Sequence, residues 1–208
     1  MIPNNLPVFP LPNVVLFPHT FLPLHIFEPR YRTMLSDTLG SDGLFVITQM
    51  KEVDSNPSLE SAFYNVGCIA KIIRADALED GRWNILVQGT ALVDIKDEII
   101  GKPYRQNIIS LRTFQDEKGL SEQDRLKFRN MFYQYVIDDD KRSSKLDMAE
   151  FFDTPISDEI LLNTIAMALK VDPVERQFLL ESQSIQELCS RISQLWEFLL
   201  VGRNITNS

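Results

Sequence analysis

LPVFPLPNVVLFPHTFLPLHIFEPRYRTML, residues 6–35, decides how the rest of the chain is read. Five prolines (Pro7, Pro10, Pro12, Pro18 and Pro23) cut it into short apolar runs ahead of Glu28-Pro29-Arg30-Tyr31. Proline fixes φ and donates no hydrogen bond, so no long helix fits before Pro29. Residues 14–17 and 21–27 are therefore expected as short strands of a small barrel or bent sheet. At Pro29 the preference reverses, because proline is welcome in a first helical turn. Tyr31, Met34, Leu35 and Thr38 follow at helical spacing toward a stop at Gly40.

Outward from this stretch, GLFVITQM (residues 43–50) reads as a buried strand and the polar, Pro57-containing residues 51–61 as a loop. Val66, Cys68, Ala70 and Ile72 alternate with less apolar neighbours, as do Trp83, Ile85 and Val87. Glu79-Asp80-Gly81 between them supplies the Asp-Gly that tight hairpins favour. Gly89 would let the second strand bend, as closure of a small barrel requires. Residues 91–95 and 106–111 supply two more strands.

After about residue 118 the pattern becomes helical. Ser121-Glu122-Gln123-Asp124 resembles a capping box, and Phe128, Met131, Phe132, Tyr135 and Val136 form one apolar stripe. Asp138-Asp139-Asp140 sets three negative charges against the helix C-terminus, so a stop is expected near Ile137. A short helix is expected at 143–152, and another at 157–170 with Ile160, Leu161, Thr164, Ile165 and Ala168 inward. Asp172-Pro173 opens a fourth. Ser184-Ile185-Gln186-Glu187 caps a fifth, whose stripe through Leu188, Ile192 and Trp196 is expected to close at Gly202. The expected organisation is a β-rich subdomain at 1–118 and an α-helical subdomain at 119–208.

The LPVFPLPNVVLFP opening, the PLHIFEPRYR centre, the 66–95 hairpin with its Asp-Gly turn and Pro103-Tyr104 together resemble the N-terminal, substrate-binding domain of the Lon protease family. The resemblance covers nearly the whole chain. It implies an α+β fold: a PUA-like bent β-barrel with an embedded helix, followed by a C-terminal α-helical bundle, the whole being one such domain standing alone. It further implies a non-catalytic module whose partners are unfolded or partner polypeptides. PUA-like barrels also leave an RNA-binding protein as the alternative.

Composition bounds these readings. The chain has 208 residues, enough for a substantial core, with 44% hydrophobic and 24% charged content. The formal net charge of −8 argues against nucleic acid, whose binding rests on neutralising phosphates. No apolar run is long enough to span a bilayer. Two distant cysteines, Cys68 and Cys189, without metal-ligand spacing suit a reducing cytoplasm. The oligomeric state is left open.

Chemistry is searched for and not found. A phosphate cradle needs G-x-x-x-x-G-K-[ST], but the Gly101-Lys102 pair is followed by Pro103. Ser143-Ser144-Lys145 reads as a solvated helix start rather than a nucleophile–base pair. His19, His25 and Glu28 are irregularly spaced in a proline-broken segment and read as ordinary packed or loop residues, with no metal expected. Cys68, on the alternating face of a strand, reads as core. No catalytic residue and no cofactor are expected. The candidate peptide-contact residues are Phe27, Glu28, Arg30 and Tyr31, at the exposed first turn of the first helix. For Glu28 and Arg30 a helix-start carboxylate with a local ion pair is the competing reading.

Overall fold

The computed structural model describes residues 2–51, 62–114, 119–138 and 156–206. The elements run β1 (Asn5–Leu11), β2 (Phe21–Ile26), α1 (Pro29–Leu39), β3 (Leu44–Gln49), β4 (Val66–Ala77), β5 (Trp83–Ile99) and β6 (Arg105–Arg112). The helices α2 (Glu122–Asp138), α3 (Asp158–Ala168), α4 (Pro173–Leu180) and α5 (Ile185–Thr206) follow. The fold is α+β. The chain divides into two compact units: residues 1–113 with 170–181, and residues 114–169 with 182–208. Among the described residues no helix is long and apolar enough to cross a membrane. The expected helix at 143–152, the Ser143-Ser144-Lys145 run and the tip around Pro57 lie outside the described residues.

In the first unit one six-stranded sheet runs β2-β5-β4-β3-β1-β6, and β6 pairs again with β5. Five strands thus close into a ring, and β2 adds to it as an edge strand on β5. Only β1 and β3 are parallel. The ring is filled by Leu6, Val8, Val46, Ile69, Val93, Ile95 and Ile109. At 17 residues, β5 is one continuous strand where two shorter ones were expected. Its residues 83–88 pair with β2, 83–94 with β4 and 92–99 with β6.

Pro10 and Pro23 sit where their missing donors cost no ladder bond. In antiparallel pairs, alternate residues exchange both bonds with the neighbour while those between turn outward. The Gly89 amide donates to the Thr20 carbonyl (2.9 Å), so Leu22, Leu24 and Ile26 bond to β5, and Pro23 faces away. The Ile109 amide donates to Asn4 (2.8 Å), which by the same alternation turns Pro7 away from β6. The Met50 amide donates to Leu11 (2.9 Å), which turns Pro10 away from β3. Beyond Val8, β1 has no second neighbour on that side.

One expectation is corrected here. Residues 14–17 are not a strand; the strand is β1, which lies upstream and ends at Leu11. Val15, Leu16 and Phe17 are nevertheless each 1% exposed. They fill the core as irregular backbone, which the Phe17–Thr20 turn closes: the Thr20 amide (3.2 Å) and hydroxyl (2.8 Å) both donate to the Phe17 carbonyl. His19, at φ 65, lies in that turn. Helix α1 matches its expected face, with Tyr31, Met34, Leu35 and Thr38 buried and Gly40 as C-cap.

Helix α4 belongs with the sheet. Asp172 donates its amide to the Glu175 carboxylate (2.9 Å) at the helix start, and the buried Gln177 Nε2 donates to the Val66 carbonyl (3.1 Å). In the second unit, α2, α3 and α5 bury Phe128, Leu162, Ala166 and Ile192 to complete exclusion. Ser157 accepts the Ile160 amide (3.3 Å) as N-cap of α3. The buried face of α3 is turned from its expected stripe: Leu161, Leu162, Asn163, Ile165 and Ala166 are buried, while Ile160, Thr164 and Ala168 are half-buried. Helix α5 runs through Gly202 to Thr206. Glycine inside a helix costs only about 1 kcal/mol, too little to end it by itself.

Gly89 is the tightest point of the sheet, because a Cβ there would lie 2.1 Å from the Phe17 carbonyl oxygen and 3.0 Å from the Cys68 sulfur. A Gly89→Ala variant is expected to lose about 3 kcal/mol or more of stability, read as an earlier midpoint in urea or thermal unfolding. Wild-type stability in that variant would show that the loop and strand do not meet as described.

Candidate functional site

Beside α1 a groove of about 680 Å³ opens between the second half of β1, the end of β2 and the residues leading into β6. It exists because β1 loses its β6 neighbour at Val8 and β2 has one neighbour only. Pro10 and Pro12 line one side, Leu24, His25 and Phe27 another, and Lys102 to Arg105 a third.

The aromatic part is layered. Phe9 and Tyr31 rings lie 4.2 Å apart between centroids, and Phe9 meets Phe45 at 6.2 Å. The Arg30 guanidinium covers the Tyr31 ring at 4.6 Å. Burial pushes the Tyr31 phenol above its ordinary value, while the Arg30 and Arg105 cations oppose that and Glu28 adds to it. Phe27 is 58% exposed and stands as the large apolar side chain offered to solvent at the groove, with the His25 ring stacked against it at 6.1 Å. His25 Nδ1–H donates to Asn84 Oδ1 (2.8 Å), and Arg82 Nη1–H approaches His25 Nε2 at 3.4 Å.

The charges of the groove are already matched. Arg30 Nε and Nη2 each reach Glu28 Oε2 at 3.0 Å. Arg105 Nη1 donates to Glu98 Oε2 at 3.0 Å, and its guanidinium lies 5.3 Å from the Phe63 ring centroid. Lys102 donates to Asp37 Oδ2 (2.9 Å), and so does the Tyr104 hydroxyl (2.7 Å). Those two hydrogen bonds, that from Tyr104 first, hold the Asp37 carboxyl below the ordinary carboxylate range. Burial, and then the Asp37 anion, push the Tyr104 phenol far above its own ordinary value. This node ties α1 to the loop between β5 and β6.

All four sequence-derived contact residues, Phe27, Glu28, Arg30 and Tyr31, line this one groove. Glu28 is the N-cap position of α1 but makes no capping bond with its side chain. Its carboxylate goes to Arg30 instead, so the local pair is present and the side-chain cap is not. Tyr31 is floor rather than exposed surface. Sequence reasoning missed Phe9, Glu98, Lys102 and Arg105, and valued Pro103-Tyr104 only as the opening of a strand. The Tyr104–Asp37 bond joins residues 67 positions apart, and no local pattern announces it. Cys68 is fully buried and Cys189 half-buried, and neither is in a disulfide. Among the described residues no three His, Cys, Asp or Glu side chains gather as a metal site would need.

Comparison with known proteins decides the family. The model of the ATP-dependent protease La (LON) substrate-binding domain matches residues 5–197. The chain belongs to that family. It is 28% identical over 195 residues to Lon protease 2 of Herpetosiphon aurantiacus, covering 91% of this chain and 23% of that one. It is 29% identical over 209 residues to the Lon protease of Roseiflexus castenholzii, covering 98% and 25% respectively. The chain thus spans about a quarter of the length of these curated relatives. Its fold is that of the N-terminal domain of Mycobacterium avium complex Lon protease, at TM-score 0.71 and 13% identity over 93% of this chain and 98% of that one. It is likewise that of a Lon N-terminal domain protein from Xanthomonas campestris, at TM-score 0.65 and 19% identity over 92% and 96%.

The node carries a pH signature. A carboxylate whose pKa is lower in the folded state contributes stability that is present above the unfolded value and lost as pH falls through the folded one. Asp37 is such a group. Tyr104→Phe is therefore expected to lower the melting temperature by a few degrees near neutral pH, with the difference closing below the usual carboxylate range. In an NMR titration the Asp37 carboxyl should move up toward its ordinary value in the variant; an unmoved titration would refute the bond.

Proposed function

We propose that this chain is a non-catalytic polypeptide-binding module of the Lon substrate-recognition type, and that the groove beside α1 is its contact surface. The observation that carries this is the groove itself: an exposed Phe27 over a floor of Phe9 and Tyr31, rimmed by cations that each already hold a carboxylate. Desolvating apolar surface with a few orienting polar groups is how protein surfaces recognise chain segments. Phosphate binding would require free guanidinium or ammonium groups, whereas here each would first surrender an anion.

Phe27, Glu28, Arg30 and Tyr31 take separate roles in this reading. Phe27 supplies exposed apolar area. Tyr31 and Arg30 form a stacked shelf, and Glu28 keeps Arg30 in place. The ion pair is half-exposed, so its worth is positional and small in energy. The module works without cofactor or metal, and two cysteines outside any disulfide suit a reducing cytoplasm.

The test is direct binding of a reduced, carboxymethylated protein, unable to fold, measured by fluorescence anisotropy at low and moderate salt. Binding is expected to survive the rise in salt, and Phe27→Ala is expected to weaken it about tenfold while leaving thermal stability within a degree or two. Absence of binding at both salts, or binding to RNA that falls steeply with salt, would overturn the reading.

A further inference from the structure

A second, smaller cleft of about 300 Å³ lies next to the groove and shares two of its walls, Lys102 and Tyr104. The groove is lined by the second half of β1 and the start of α1, from Phe9 and Arg30. The small cleft is lined by the first half of β1 and the end of α1, from Asn5–Pro7 and Asp37–Ser41. The two hollows therefore succeed one another along the same strand and the same helix. The walls they have in common, Lys102 and Tyr104, both donate to the same Asp37 carboxylate oxygen.

Resting on the polypeptide-binding reading, the geometry points to one continuous track that takes an extended polypeptide segment carrying a large apolar residue and, a few positions away, a lysine or arginine. The length comes from the elements. Tyr31 to Asp37 is about 9 Å along a helix, and Leu6 to Pro10 is about 13 Å along a strand. An extended chain covers that span in about three to four residues. A single side chain is too short to occupy both hollows.

The sign of the second residue comes from charge. In the groove, Arg30 and Arg105 are each matched by a carboxylate. In the small cleft, Asp37 is engaged by Lys102, but Asp42 brings a second carboxylate. Lys71 is held by the Asp42 main-chain carbonyl, and no ion pair involves the Asp42 carboxylate among the described residues. Lined by Asp37 and Asp42 against Lys102, the small cleft presents two carboxylates to one ammonium, and a basic side chain complements the Asp42 carboxylate. Thr38, Ser41 and Gln106 supply the remaining polar wall.

The experiment is an array of short overlapping peptides covering reduced, carboxymethylated α-lactalbumin, probed with the wild-type chain, Phe27→Ala and Asp42→Lys. Bound peptides are expected to share an aromatic or large aliphatic residue and a basic one about three to four positions apart. Asp42→Lys should weaken those peptides about tenfold and Asp42→Asn less, while exchanging the peptide's basic residue for alanine should erase the difference between variant and wild type. If peptides bind and depend on Phe27, yet ignore both spacing and Asp42, the two-cleft track is wrong and the polypeptide-binding reading stands. If no peptide binds the wild-type chain, that underlying reading fails as well. Asp42 is exposed, so circular dichroism of Asp42→Lys is expected to match wild type and separates lost contact from lost fold.

Discussion

The carbonyl of Phe17 lies against Gly89 with no room for even a methyl group between them. That contact fixes where an irregular apolar segment crosses the sheet. It also falls where β5 passes from pairing with β2 to pairing with β6, so a single strand can serve both an edge and a closed ring. The backbone groups at the crossing are not left orphaned, since His19 donates to the Gly89 carbonyl (2.8 Å) and Gly89 donates back to Thr20. Unpaired amides at a buried crossing would each cost about 1–3 kcal/mol, comparable to a large part of a domain's net stability.

The groove is a by-product of that closure. Because β6 begins at Arg105, opposite Val8, the far half of β1 has an open side, and β2 has one by virtue of being outermost. Open strand edges invite unwanted pairing, and prolines blunt them by removing donors. Pro10 and Pro23 do so here without breaking an internal bond, because both face outward by the alternation of the ladder. The same two residues that protect the edges leave a hollow that α1 covers only in part.

Two side-chain systems then define what the hollow presents. One is the stack of Phe9, Tyr31 and Arg30, which is apolar beneath and cationic above. The other is the Asp37 node, in which one carboxylate oxygen receives both a phenol and an ammonium. Two donors on one carboxylate oxygen favour its charged form, which holds the exposed Asp37 carboxyl below the ordinary range. Because Lys102 and Tyr104 of that node line both clefts, its integrity bears on the shape of both.

Much of this was legible in the chain. The proline spacing excludes a helix before Pro29. The 3.6-residue period picks out Tyr31, Met34, Leu35 and Thr38, and the Asp-Gly turn places the β4–β5 hairpin, because these depend on local backbone chemistry. The residues picked out at 27–31 also line one groove together, since consecutive residues at a helix start stay together in any fold. Other features were decided only by tertiary pairing. Residues 14–17 and β1 have the same apolar, proline-broken composition, and only the partners offered by β3 and β6 make one a strand and the other a packed loop. Helix α4 reads like its helical neighbours but joins the sheet through Gln177 and Val66, 111 residues apart. Asp37, Lys102 and Tyr104 meet for the same reason. Local propensity sets what each segment can become, while contacts between distant residues are set by which surfaces remain to be buried once the ring has closed.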